Sequence, residues 1–164
     1  MNSEQKKWPV QIINMSIADL KTHFKDFLDL FAENTRGHVT DQVIEDSYIK
    51  KKAGETFDYL KKGQAILLGL FVNSRLAGFL WAYPRVFLEE QRIYINSLII
   101  DKAYRGRQYG KALMDEIERI ALEKNIYVVD VSTASFKTDA IRFYEKLGYK
   151  HERVQMRKGL TRQK

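Results

Sequence analysis

The sequence predicts an α/β fold built on a mixed sheet. Three observations carry this. Short β-rich runs and helix-periodic runs alternate in the order β-α-α-β-β-β-α-β-α-β. "QAILLGLFVNSRLAGFLWAYPRVF", residues 64–87, reads as two apolar strands turning at Asn73-Ser74. "QRIYINSLII", residues 91–100, is apolar almost throughout, as a strand buried on both faces would be, and leads through a glycine loop into a helical pattern.

Taken in order, "VQIINMS" from Val10 is a first strand. Asp19 is placed to cap a helix running to about Asn34, with Leu20, Phe24, Phe27, Leu28 and Phe31 at helical spacing and Gly37 ending it. Thr40 or Asp41 can start a second helix to about Lys52, with a short helical piece near Phe57 to Lys61. In the hairpin, Pro84 either ends the second strand or marks it as an edge. After strand 91–100, Leu113, Ile117, Ile120 and Ala121 form one stripe of a helix over about 109–124. "IYVVDVST" is a β-rich strand, "KTDAIRFYEKLGY" a helix stopped by Gly148, and "YKHERVQMRK" alternates like a last strand.

The 164 residues suit one domain over 10–158, with tails at 1–9 and 159–164. No apolar stretch approaches the ~20 residues of a membrane span, and "MNSEQKKWP" has no leader-like apolar run. A cytoplasmic protein is the expectation. The absence of cysteine excludes disulfides, thiolate metal sites and cysteine nucleophiles, and no metal is expected. The net charge of +7 is concentrated. Residues 150–164 carry six Lys/Arg against one Glu, and residues 101–111 four against Asp101. The C-terminal cluster lacks interleaved aromatics, so nucleic-acid binding is not expected. It reads as a solvated end or as steering for an anionic ligand. The sequence leaves room for a homodimer.

"YRGRQYGKALMDEIERIALEK", residues 104–124, sets Arg105, Arg107 and Lys111 around Gly106 and Gly110 at a helix start. First-turn amides and the helix dipole favour an anion there. The glycine spacing fits neither the P-loop nor the dinucleotide fingerprint. By itself the fragment reads equally as a tight strand-to-helix connection with surface charge.

Arg107-Gln-Tyr-Gly110-Lys-Ala112 matches [R/Q]-x-x-G-x-[G/A], and "DAIRFYEKLGYK", residues 139–150, matches A-x-x-[FL]-Y-x-x-x-G-[FY]. In this order and separation the two segments resemble the GCN5-related N-acetyltransferases (GNAT superfamily), and the element order agrees over about 10–158. The resemblance implies a mostly antiparallel sheet of six to seven strands, splayed between the fourth and fifth and flanked by about four helices. It implies acetyl-CoA as the donor co-substrate. The diphosphate would lie on amides of Arg105, Gly106, Arg107, Gln108, Tyr109, Gly110 and Lys111. The pantetheine arm would lie along Leu98, Ile99 and Ile100, where an amide would polarise the thioester carbonyl.

The same resemblance puts Tyr144 in the place of a general acid for the departing thiolate. Read from spacing alone, Tyr144 is a core aromatic beside Ala140, Ile141 and Leu147. Many relatives carry a carboxylate base on strand four, where this chain has Asn96-Ser97. Asn96 is left to position a water or the amine, and Glu33, at the first helix end, is the candidate base. His38 reads as an exposed loop histidine. Lys137 replaces an asparagine that contacts the cofactor in many relatives, and either meets a phosphate or points to water. Trp81, Tyr83 and Tyr94 are expected to wall the acceptor pocket, or else to be core. The acceptor is a small-molecule or peptide amine. The implied function is amine acetylation by direct attack in a ternary complex. The missing carboxylate leaves a non-catalytic acyl-CoA sensor as the alternative.

Overall fold

Asn73 and Ser74 both take left-handed backbone, φ 52° and 64°. Two such residues in succession make the tight reversal that matches strand twist. The hairpin they close joins β2 (Ile66–Val72) to β3 (Arg75–Phe87). The computed structural model describes residues 10–160. These form two compact units, one up to Ser132 and one from Thr133.

The first unit holds a five-stranded sheet in the order β1-β2-β3-β4-β5, adding β1 (Val10–Asn14), β4 (Glu90–Ile100) and β5 (Val129–Val131). The first four strands pair antiparallel, and β5 pairs parallel to β4. One sheet face is covered by α1 (Ile17–Thr22), α2 (Phe24–Arg36) and α3 (Asp46–Lys61). Leu20, Phe27, Ala53, Leu67, Leu76 and Phe79 are buried together there. Leu113, Met114 and Ile117 of α4 (Tyr109–Glu123) are fully buried, as is Leu80, on a β3 position that faces the opposite way from Phe79. The second unit carries α5 (Thr138–Lys146). Among the described residues, no helix is long and apolar enough to cross a membrane.

Several expectations are corrected. The helix cap is Ser16, which accepts from the Asp19 amide while the Asp19 carboxylate accepts from Ser16 N at 2.8 Å, a reciprocal box. His23 interrupts the expected single helix, splitting α1 from α2. The expected second helix and short piece are one helix, α3, starting later, after Glu45 and running through Gly54. Pro84 does not end β3. It lies past Ala82, the last β3 residue paired with β2, so its missing N–H falls on a local edge. β4, by contrast, does bury side chains on both faces: Ile93 and Ile95 share the face of Pro84 and Ala82, while Ser97 and Ile99 share the opposite face with Trp81 and Phe79.

Among the described residues the sheet has five strands rather than six to seven, and the α-helices number five rather than about four. The alternating segment 149–158 forms no strand. Val154 and Met156 are its only aliphatic side chains, and they are 80% and 86% exposed. So little apolar area cannot offset the entropy of ordering ten residues.

Gly78 sets how closely β3 meets the end of β4. A Cβ there would stand 2.7 Å from the Ile99 carbonyl oxygen and 2.6 Å from Ile100 Cδ1. The Gly78→Ala variant is therefore expected to lose roughly 1–3 kcal/mol, the usual range for overpacking. A urea denaturation curve measures this. An unshifted midpoint would mean that the two strands have room to spare.

Candidate active site

After β4 the chain makes a single 3-10 turn, Lys102–Tyr104, capped by Asp101 Oδ1 on the Ala103 amide at 2.9 Å. Gly106 then takes φ +75° and Gln108 φ 65°. The first of these left-handed residues is a glycine, where no side chain meets the penalty. The second holds strain of order 1 kcal/mol or more. Left-handed Gln108 is followed directly by right-handed Tyr109, a change of hand that turns successive amides to one side, as in an anion-binding nest. The first bond inside α4 runs from Ala112 N to Gln108 O at 3.0 Å. The amides of Tyr109, Gly110 and Lys111 thus belong to the open first turn. No acidic residue stands in that turn to compete with an anion.

The cations around the loop are partly committed. Arg105 donates through Nε to the Ile100 carbonyl at 2.8 Å and through its guanidinium to Glu33 Oε1 at 2.5 Å. Lys102 Nζ lies 3.8 Å from the same carboxylate oxygen. Lys111 bonds both oxygens of Asp115, one turn on, at 2.8 and 2.6 Å. The Arg107 guanidinium lies 6.0 Å from the Tyr104 ring centroid. Glu33, the expected base candidate, thus sits in an ion pair that ties α2 to the loop and, through Arg105, to the end of β4.

β4 and β5 pair only over Ile93–Ile95 and Val129–Val131. Past that point Asn96 to Ile100 have β3 on one side and no β5 ladder on the other. The register slips between Trp81 and Ala82, which face Ser97 and Ile95. Asn96 is therefore an extra residue, a β-bulge, and bulges re-aim side chains. Its side chain is exposed and its Nδ2 donates to Ser97 Oγ at 3.4 Å. Leu98, Ile99 and Ile100 follow directly, opposite Leu80, Phe79 and Gly78.

The three expected wall residues meet on one face of β3 and β4. The rings of Trp81 and Tyr83 are 5.4 Å apart, and those of Tyr83 and Tyr94 5.5 Å. Tyr59 of α3 joins them, 5.4 Å from Trp81 and 6.5 Å from Tyr83. Trp81 is also part of the core, at 7% exposure, and its buried Nε1 has no hydrogen-bond partner among the described residues. Burial, and next the neighbouring Tyr94, push the Tyr83 phenol above its usual range. Beyond Tyr94 lies a charged patch. The Arg85 guanidinium stacks 4.1 Å from the Tyr94 centroid and pairs with Asp130 on β5. Arg92 lies 3.5 Å from Asp130 and 2.6 Å from Glu90. The Tyr94 hydroxyl shares a hydrogen bond of 2.5 Å with Ser132.

Sequence reasoning missed Tyr59, Arg85 and Asp130. Tyr59 lies inside the short helical piece expected near Phe57 to Lys61. Asp130 did leave a signal: it is the one charge inside the apolar run "IYVVDV".

In the second unit, Tyr144 lies half-buried on α5, its ring 5.2 Å from Phe143 and 5.8 Å from Tyr149. Burial pushes its phenol up to about 12. Lys137 immediately precedes the helix, its carbonyl accepting from Ile141 N at 3.1 Å. Gly148, at φ +90°, takes the left-handed position expected of it past the helix end.

Comparison with known proteins follows the same lines. The family model described as "Acetyltransferase (GNAT) family" matches residues 24–149. The chain is 29% identical to the uncharacterised N-acetyltransferase YhdJ of Bacillus subtilis over 101 residues, which is 60% of this chain and 71% of YhdJ. Against other curated relatives it spans from 33% to 59% of their length. Among solved structures, a putative acetyl transferase from Pyrococcus furiosus superposes with a TM-score of 0.74 at 20% identity, covering 93% of this chain and 100% of that one. The aminoglycoside N-acetyltransferase AAC(6')-Iy, solved in complex with CoA, superposes with a TM-score of 0.74 at 17% identity, covering 94% and 97%.

Proposed function

Because the chain belongs to the acetyltransferase (GNAT) family, we propose that it is an acetyl-CoA-dependent N-acetyltransferase that acts on a primary amine by direct attack in a ternary complex. The observation that carries this is the open first turn of α4 beside the unpaired end of β4. One offers amides to a diphosphate, and the other offers backbone to a pantetheine arm.

In this reading the amides from Arg105 to Lys111 hold the diphosphate, and Leu98 to Ile100 align the arm. A β4 amide stabilises the oxyanion as the amine nitrogen bonds to the thioester carbon. The C–S bond then breaks, CoA leaves as its thiolate, and solvent water protonates the sulfur. On the resemblance alone, Tyr144 is assigned the hydrogen bond to that sulfur. The amine proton leaves through water positioned by Asn96. Glu33 is reassigned: with Arg105 and Lys102 on its carboxylate, it holds the loop rather than taking the proton. Lys137 is assigned to a phosphate of CoA on the resemblance alone.

Trp81, Tyr83 and Tyr94 line the acceptor side. Asp130 meets Arg85 and Arg92 through Oδ2, and its Oδ1 is buried, so its charge is offset and offers no exposed carboxylate to a polycationic sugar. A small amine or a peptide amine suits it better than the aminoglycosides named for the structural neighbour.

Asn96-Ser97 in place of a carboxylate also favours a second reading, a non-catalytic acyl-CoA sensor. Release of CoA thiol across a panel of amines separates the two. The enzyme reading expects at least one amine to accelerate release well above hydrolysis. Tight acetyl-CoA binding with no amine accelerating release would favour the sensor.

A further inference from the structure

The fork between β4 and β5 begins at a side-chain bridge, and we propose that this bridge, Tyr94 to Ser132, limits the acyl group of the donor to acetyl. The proposal rests on the acetyltransferase reading above and names the class of thioester. The two strands pair only as far as Ile95 and Val131. Just past that point the Tyr94 hydroxyl and Ser132 Oγ stand 2.5 Å apart. Tyr94 is opposite Tyr83 in one ladder and Asp130 in the other, so the bridge lies on the face that carries Trp81 and Tyr83. It ties the two strands together where they part.

The arm of the donor runs toward this branch point. The Asp101 amide donates to the Ala77 carbonyl across the β3 ladder. Peptide groups alternate along a strand, so Ile100 and Leu98 turn theirs to the open edge. Arg105 Nε, reaching the Ile100 carbonyl at 2.8 Å, fills the position nearest the loop. An arm whose diphosphate sits on that loop therefore passes Ile100 first and Leu98 next. Its thioester arrives beside Asn96, at the branch point.

The thioester carbon is trigonal, and three of its directions are already assigned. The oxygen faces a β4 amide, the sulfur leads back up the fork, and the amine attacks from the face of Trp81 and Tyr83. The acyl chain takes the remaining direction, in the plane of oxygen and sulfur and across toward Val131 and Ser132. A methyl group ends there. A longer chain meets the closed ladder below it and the hydroxyl bridge on the attacked face. Tyr94 is held against swinging aside. Its ring lies 5.5 Å from Tyr83, and the Arg85 guanidinium stacks on it at 4.1 Å while pairing with Asp130.

Competition between acetyl-CoA and propionyl-CoA tests this, with the full chain and an amine from the panel above. The unaltered chain is expected to prefer acetyl by roughly 10- to 200-fold in kcat/KM, the range that one methylene spans in a shaped pocket. Equal use of the two donors would overturn the proposal. Ser132→Ala removes the bridge without adding bulk and should cut the preference by about 5-fold or more, the relief of an overpacked contact. Ser132→Thr keeps the hydroxyl, adds a methyl, and should keep or raise it. Tyr94→Phe should act as Ser132→Ala does. The double variant should go no further than either, because both remove the same bond. A preference unmoved by the two single variants, or effects that simply add, would sink the bridge. A second readout needs no acceptor. Calorimetric titration gives the affinity ratio of acetyl-CoA to propionyl-CoA, which Ser132→Ala should lower and Ser132→Thr should not. If both thioesters bind but no amine is acetylated, the enzyme reading fails and this ratio alone decides: no change in Ser132→Ala would overturn the proposal. If neither thioester binds, the donor site is lost and the proposal falls with it.

Discussion

Gly110→Glu is expected to abolish acetyl-CoA binding while leaving the fold intact. Gly110 is the second residue of α4, in the turn whose amides have no carbonyl partner inside the helix. A carboxylate there would stand where we place the diphosphate. Two unit charges ~5 Å apart at an effective dielectric constant near 20 repel by about 3 kcal/mol. With a doubly charged diphosphate and the lost space added, affinity should fall by at least ~10²-fold. The same substitution is benign for the helix. A negative side chain in a first turn complements the dipole, by a few tenths of a kcal/mol to about 1 kcal/mol, so the thermal midpoint should hold or rise slightly. Calorimetric titration with acetyl-CoA and a melting curve on the same sample check both halves. Undiminished binding would remove the loop from the donor site.

The elements that bury a one-sided apolar pattern were legible in the sequence. The turn at Asn73-Ser74, the β4 span and the α4 stripe match what hydrophobic period predicts. Failures fall where period gives no signal. Ser16 and Asp19 both suit a cap, and the reciprocal box uses both residues, so spacing alone did not show which was the cap and which the N3 partner. The break at His23 is a single residue inside an uninterrupted stripe. At 149–158 the alternation was real, but alternation without apolar area does not make a strand.

At the site, the glycines and cations marked a loop entering a helix, but by themselves they read equally as an anion site or a tight connection, and only the second segment at 139–150 favoured the anion. What lay beyond reach were partners distant in sequence. Glu33 and Arg105 are 72 residues apart, and no local rule pairs them. The same holds for Arg85 and Asp130, and for Tyr59 against β3. The bulge at Asn96 was equally hidden, since it exists only in the register between two strands. That register explains how Ile95 and Ile99, four residues apart, come to be buried on opposite faces of one strand.

Tyr144→Phe is expected to lower kcat by roughly 10²-fold, the lower bound usual for losing a positioned proton donor, and to leave acetyl-CoA affinity unchanged. The phenol lies at about 12 because burial disfavours its anion. A thiol has a pKa near 8.5, so handing the proton fully to the departing thiolate would be uphill by roughly 3–4 pK units, or about 5 kcal/mol. Tyr144 therefore shares its proton with the sulfur as charge develops and need not release it. It follows that the phenol stays protonated throughout the working range. kcat/KM should climb with pH as the acceptor amine, near 10.4 for an alkyl amine, loses its proton, with no fall from Tyr144 below about pH 11. The Phe variant should trace the same curve at a lower height. Stability supplies an independent readout. An unfolded tyrosine loses its proton near pH 10 and the buried one near pH 12, so the unfolded state binds fewer protons in that window. The contribution is intact below pH 10 and is lost as pH rises toward 12, and Tyr144→Phe should lack that part of the alkaline loss. A variant that turns over at the parent rate with chemistry limiting, yet loses the alkaline stability change, would make Tyr144 a buried aromatic and no part of the reaction.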